Sequence, residues 1–239
     1  MSGHSHAKTI MATKMANDAK KGKIFSKFGR LITIAAKEGG DPVINSKLKV
    51  AIEQAKSFNM PKDNIERAIK KGTGELAGEN LEEVSFEAFG PGGIAIIIDG
   101  ITDNKNRTLT DIKVILNQNG GKLAGEGAVR WLFERKGAIT VSSQGKTKEE
   151  LEFLAIEVGA EDVLWHDNML DIYTKPEDFD KIKKLLEEKQ IKIESASLDL
   201  AAKEEVELSE KDKEQAEKLF ESLDENDAVN DIYSNAKNV

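Results

Sequence analysis

Residues 84–102 read VSFEAFGPGGIAIIIDGIT, and this stretch decides the fold class. Over Val84 to Ala88 apolar and polar residues alternate, the period of a strand with one buried face. Gly90-Pro91-Gly92-Gly93 is turn chemistry, and Ile94 to Ile98 is a short continuous apolar run, four of its five residues isoleucine, that reads as a second, more deeply buried strand. Upstream the period is helical instead. Ile24, Phe28, Leu31 and Ala35 recur at helical spacing, with Phe25 and Ile32 widening the stripe and Gly39-Gly40 as a stop. Asp41-Pro42 is read as the start of a second helix carrying Leu48, Ile52 and Ala55. Pro61 at a first helical position and Gly72 as a C-terminal cap bound a third, with Asp63 and Arg67 spaced as an ion pair. The stretch GTGELAGEN from Gly72 reads as a linker.

Downstream, helices and strands alternate. A helix is expected from about Arg107 to Asn117, followed by the glycine-rich return GGKLAGEG from Gly120. VRWLFERKGAITV, from Val129, reads as a hairpin turning at Lys136-Gly137. A helix from about Lys148, the hairpin DVLWHDNMLDIYT from Asp162, a helix after Pro176 and the strand IKIESASLDL from Ile191 follow. The tail gives one more helix and a short strand. The class is α plus α+β: an N-terminal three-helix domain followed by two α+β domains. Residues 84–125 supply only one helix for about three strands, which leaves the sheet half covered. The tail is therefore expected to fold back, making 79–128 and 205–239 a discontinuous α+β domain with 129–204 inserted in it, behind a basic helical domain of 1–78.

The chain has 239 residues, enough for two or three domains, and no cysteine, which excludes disulfides and thiolate metal sites. Its longest apolar run, Ile94 to Ile98, is far short of the roughly 18 residues of a membrane span. The N-terminus lacks the apolar core of a secretory signal, so a cytoplasmic protein without membrane partners is expected. The net charge of −8 is unevenly divided. Residues 1–71 carry 15 Lys and Arg against six Asp and Glu, while the other 168 carry 20 against 37. A basic head on an acidic body points to a polyanionic partner for the head.

Asn17 to Arg30, NDAKKGKIFSKFGR, concentrates that excess, with five cations against one acid. On a helical projection Lys20, Lys23, Lys27, Arg30 and Lys37 share one sector, and Ile24, Phe25, Phe28, Leu31 and Ala35 lie opposite. The phenylalanines are read as packing residues and the cations as phosphate contacts, which need density rather than fixed spacing. The candidate set is Lys14, Lys20, Lys21, Lys23, Lys27 and Arg30 with Lys62, Arg67, Lys70 and Lys71. Arg107, Lys122 and Arg130 are weaker candidates.

No catalytic constellation and no cofactor site assembles from spacing. His4-x-His6 has no third ligand, His166 is expected at a hairpin turn, and Gly145-Lys146-Thr147 fails as a phosphate loop because Thr140 stands where the leading glycine is required. Nothing in the sequence sets an oligomeric state.

Several segments carry a family resemblance: GHS from Gly3, DAKKGKIF from Asp18, NMPKDNIERAIKKG from Asn59, FEAFGPGGIAIIID from Phe86, TDNKNRT from Thr102, GGKLAGEGAVRWLFERKG from Gly120, GAEDV from Gly159 and DIYSN from Asp231. In this order, over essentially the whole chain, they resemble the YebC/PmpR family, which includes a mitochondrial translational activator of cytochrome oxidase. The resemblance implies a three-domain α and α+β protein without a known catalytic activity. It further implies a nucleic-acid partner, either DNA for a transcriptional regulator or ribosomal RNA, and so the ribosome, for a translation factor. The departures are His6-Ala7 and the Met11 to Lys14 stretch where the family is more basic, Ala128 in place of serine, and Phe86 and Phe89 in place of tyrosines. A protein-interaction scaffold with solvated lysines is the rival reading.

Overall fold

The computed structural model describes residues 18–239 other than 144, 167 and 238. The first three elements among the described residues are helices α1 (Asp18–Ala36), α2 (Ser46–Ser57) and α3 (Lys62–Gly72). Their apolar stripes meet in one core of Ile24, Phe28 and Ile32, Leu48 and Ile52, and Ile65 and Ala68. Phe28 stacks at a tilt on Phe58, with ring centroids 5.1 Å apart. The second helix starts later than Asp41-Pro42 suggests. Asp41 instead accepts from the Val43 N–H in a turn, and Asn45 is the cap, accepting from Leu48 N at 3.0 Å. The Asn45 amide also donates to the carbonyls of Ala35 and Gly39, both at 2.8 Å, so one side chain ends α1 and begins α2.

Gly72 plays a different part from the one its position suggests. It is the last helical residue, and a Cβ there would collide with the Thr33 carbonyl oxygen and lie 2.6 Å from the Ala36 Cβ. The glycine lets α3 approach α1. The expected Asp63–Arg67 pair is replaced along α3 by Lys62 and Glu66, 3.5 Å apart.

After an exposed linker come β1 (Glu82–Phe89), a 3-10 turn at Pro91–Gly93, β2 (Ala95–Thr102), α4 (Lys105–Gln118) and β3 (Lys122–Leu123). β1 and β2 pair antiparallel with Phe86 opposite Ile98. Then follow β4 (Phe133–Ser142), α5 (Lys148–Val158), β5 (Asp162–His166), β6 (Met169–Thr174), α6 (Phe179–Glu188) and β7 (Ile193–Ala202), and last α7 (Glu210–Asp224) and β8 (Val229–Ser234). The sheets have strand orders β3-β1-β2-β8 and β5-β6-β4-β7. β8 lies antiparallel to β2, Ile232 opposite Ile98. α4 and α7 cover one face of the first sheet through Ile112, Leu116, Leu219, Phe220 and Leu223. The other face carries a smaller core of Ala95, Ile97, Val129, Phe133 and Tyr233, packed against Leu200 and Ala202 of the second sheet. β2 is thus buried on both sides, which is why Ala95 to Ile98 reads as an unbroken apolar run.

The hairpin expected at Lys136-Gly137 is absent. β4 is one ten-residue strand, with Gly137 paired to Thr174 on one side and Leu198 on the other. A Cβ at Gly137 would meet the Thr174 hydroxyl and lie 2.6 Å from the Phe179 ring, so this glycine marks a close approach of α6 to the sheet, not a turn.

Candidate nucleic-acid interface

The cationic sector of α1 faces the acidic body. Lys27 donates to the Asp224 carboxylate at 2.8 Å and to the Asp224 carbonyl at 2.6 Å, and both residues are buried, at 3% and 6% exposure. Lys23 reaches the Glu225 carbonyl at 3.3 Å, Arg30 the Asp227 carbonyl at 2.9 Å, and Lys37 the Leu81 carbonyl at 2.6 Å. Asp224 and Glu225 lie at the C-terminal end of α7, where unsatisfied carbonyls and the helix dipole concentrate negative charge, and Asp227 lies in the turn that follows. Asp224, Glu225 and Asp227 add carboxylates. Lys27 is therefore a docking residue rather than a phosphate contact, and Lys23 and Arg30 are committed in part to the same joint. Lys21 is half-buried, the backbone of Lys20 lies in the first turns of α1, and Lys14, with His4 and His6, lies outside the described residues.

α3 presents the opposite picture. Lys62, Arg67, Lys70 and Lys71 are all exposed, and among the described residues only Lys62 has an acid within ion-pair distance. Lys70 and Lys71, in the last turn, also complement the helix dipole. Between α1 and α3 runs a groove of about 480 Å³. Its charged lining consists of Arg30, Arg67 and Lys71 with one acid, Glu79; Phe25 borders it, and Gly22, Ser26 and Gly29 contribute small residues. Phe28 is in the core as expected, whereas Phe25 is half-buried at this groove. Two of the three lysines of α2 are less available. Lys47 pairs with Glu38 at 2.6 Å, a hydrogen bond that raises its pKa, and Lys49 lies 3.9 Å from Glu53. Glu53 also meets Lys183 of α6 at 3.4 Å.

The weaker candidates are scattered. Arg107 pairs with Asp103 beside the Asn104 cap of α4, and Lys122 is exposed on the two-residue strand β3. Arg130 belongs to a turn organised by an internal carboxylate. Buried Glu87 accepts from the N–H groups of Gly127 and Val129, both at 2.7 Å, and of Arg130 at 3.0 Å. Burial alone would raise the Glu87 pKa, but these three donors and the Arg130 charge outweigh it, and the net shift is downward. The loop from Gly127, at the end of GGKLAGEG, to Arg130 is thus a nest already filled by the protein's own anion.

The chain matches two family profiles in tandem, one described as the TACO1/YebC protein N-terminal domain over residues 5–75, the other as the TACO1/YebC second and third domain over residues 81–236. It belongs to the TACO1/YebC family. Probable transcriptional regulatory proteins of Syntrophus aciditrophicus and Thermoanaerobacter pseudethanolicus are 46% and 47% identical to it. The matches span 98% and 99% of this chain, and 95% and 97% of the relatives. The crystal structure of a conserved hypothetical protein, Aq1575 of Aquifex aeolicus, superposes with a TM-score of 0.85 at 43% identity, covering 92% of this chain and 91% of that one.

Within this TACO1/YebC chain, the residues that sequence reasoning missed are acceptors. The α7 terminus carried a legible signal, because ESLDEND places acids where a helix end favours cations, and the last turn of α7 has no basic residue. Such a terminus calls for cations from elsewhere in the fold. Glu87 carried no comparable signal, since its alternation with apolar neighbours fits a solvent-facing strand position.

Proposed function

We propose that this TACO1/YebC protein is a non-enzymatic, cytoplasmic regulator of gene expression that binds nucleic acid through its N-terminal helical bundle, with Lys62, Arg67, Lys70 and Lys71 as the principal phosphate contacts. Arg30, which lines the α1–α3 groove, is a secondary contact, as are Lys20, Lys21 and Lys23 of the same helix. One observation carries this reading. On a chain of net charge −8, Lys27 of α1 is buried against Asp224 and Lys23 and Arg30 each bond a carbonyl beyond it, while Arg67, Lys70 and Lys71 stand exposed beside a groove with no acid within ion-pair distance among the described residues. Lysine and arginine in that state release counterions when they meet a phosphate backbone. The names of the relatives, probable transcriptional regulatory proteins, support a role in gene expression.

The conventional target is DNA. Structured ribosomal RNA, bound on the ribosome, is the second reading, and the composition of α3 favours it. The helix KDNIERAIKKG exposes charges suited to phosphates but only Asn64 as an amide able to read a base edge, an arrangement for backbone and shape recognition.

The test is the triple variant Arg67→Glu, Lys70→Glu, Lys71→Glu, titrated against duplex DNA and ribosomal RNA over a range of salt. The dependence of log affinity on log salt should flatten by about 0.7–0.9 for each phosphate contact removed, with the helical circular dichroism unchanged. The preferred polyanion is the one bound more tightly at a common salt concentration. Equal affinity of the variant and the parent protein would discard α3 as the contact surface.

A further inference from the structure

The chain's most exposed tryptophan lies outside the N-terminal bundle. Trp131 follows Arg130 in the turn between β3 and β4 and is 66% exposed, while its neighbours Val129 and Phe133 are buried between the two sheets. Its orientation is fixed at several points. The indole N–H donates to the Ala128 carbonyl at 3.1 Å, and the Trp131 carbonyl accepts from the Lys203 ammonium at 2.9 Å. Glu87 holds the N–H groups of Val129 and Arg130 on the preceding residues. The one polar atom of the ring is therefore occupied internally, and what faces solvent is π surface.

Two cations flank it. Arg130 is exposed, its guanidinium reaching the Ser85 hydroxyl at 3.2 Å, and Lys203 is exposed with its ammonium at the Trp131 backbone. Neither cation has a carboxylate within ion-pair distance among the described residues. A rigid, solvent-facing indole flanked by two such cations has the two elements of a single-strand platform, a ring for a base and charges for its phosphates. The contrast with Trp165 is instructive: that indole is half-buried, donates to Glu152 at 2.6 Å and lies under the Lys148 ammonium at 5.2 Å.

We infer that Trp131, with Arg130 and Lys203, forms a second nucleic-acid contact that stacks an unpaired base of the strand held by the N-terminal bundle. This rests on the function proposed above. The charge complementarity of the two cations favours a nucleic acid over an apolar protein patch, and the fixed ring favours an unpaired base over a duplex, whose bases are already stacked.

In a Trp165→Phe background Trp131 is the only tryptophan, and its emission reports contact directly. A single-stranded RNA oligonucleotide should quench it, and the same sequence annealed to its complement should not. Trp131→Ala should weaken single-strand binding about tenfold by anisotropy of a labelled probe, while Trp131→Phe retains most of the affinity through its own ring. Unquenched emission with the oligonucleotide bound, or full affinity in Trp131→Ala, would overturn the platform and leave the exposed ring to a protein contact. If the α3 triple variant still abolishes binding in that case, the proposed function stands without the platform. If neither variant alters binding, both fall.

Discussion

Lys27 and Asp224 form a buried ion pair whose two halves come from α1 and α7, and its contribution is separable by mutation. Removing one partner takes from the other buried charge its counter-ion at 2.8 Å, a loss of about 3–5 kcal/mol, whereas replacing both by apolar groups of similar volume is close to neutral. Lys27→Met should therefore lower the denaturation midpoint strongly, and Lys27→Met with Asp224→Leu should recover much of the loss. A double variant as unstable as the single would mean that the pair does not act as a unit. Glu87 gives a pH-dependent counterpart. Its folded pKa lies below the ordinary value, so its stabilisation is present above the unfolded pKa and is lost as pH falls through the folded one. Glu87→Gln should cost about 2–3 kcal/mol at neutral pH, because one glutamine oxygen cannot replace a charged carboxylate facing three donors. The variant should also show a shallower loss of stability on acidification, measured by denaturant titration from neutral to acid pH.

At the level of elements, glycines separate the legible from the illegible. Gly22 and Gly29 sit inside α1 where an added Cβ would meet nothing closer than the Met60 methyl at 4.0 Å, whereas at Gly72 it would strike α1. Gly72→Ala should therefore destabilise the bundle by about 1–3 kcal/mol through overpacking, despite alanine's better helix propensity, and thermal unfolding would show it. A neutral or stabilising result would mean that α1 and α3 separate at little cost. Periodicity located all three helices of the bundle and the β1–β2 hairpin, because it reports which residues share a face. It assigned Gly137 to a turn because sequence alone cannot distinguish a glycine needed for a tight bend from one needed where Phe179 presses on a strand. For the same reason it grouped Lys23, Lys27 and Arg30 correctly on one sector but did not show that this sector meets the end of α7. What a face touches is set by tertiary packing some 200 residues away in the chain, beyond the reach of a helical projection.

Across the whole molecule the chain path favours an insertion. We propose that residues 79–128 and 205–239 form one discontinuous unit interrupted by 129–204. β8 adds to the edge of β2, α7 supplies Ala216, Leu219, Phe220 and Leu223 to the first core, and the interrupting segment enters and leaves at one place. Phe133 pairs with Ala202, and the Lys203 N–H donates to the Leu132 carbonyl at 2.9 Å. Adjacent ends allow a segment to be accommodated without displacing the strands on either side of it. A fragment of residues 129–204 retains all four strands of its sheet and both covering helices, and should be soluble with a cooperative unfolding transition. Truncation after residue 204 would instead uncover Ile96, Ile98, Ile112 and Leu116 and remove the acceptors of Lys23, Lys27 and Arg30 together. That chain should aggregate, and residues 205–239 added as a separate peptide during refolding should rescue it, as read by light scattering. A soluble, cooperatively folded 1–204 chain would show that the first sheet does not depend on the tail, and that the basic helices keep their place without it.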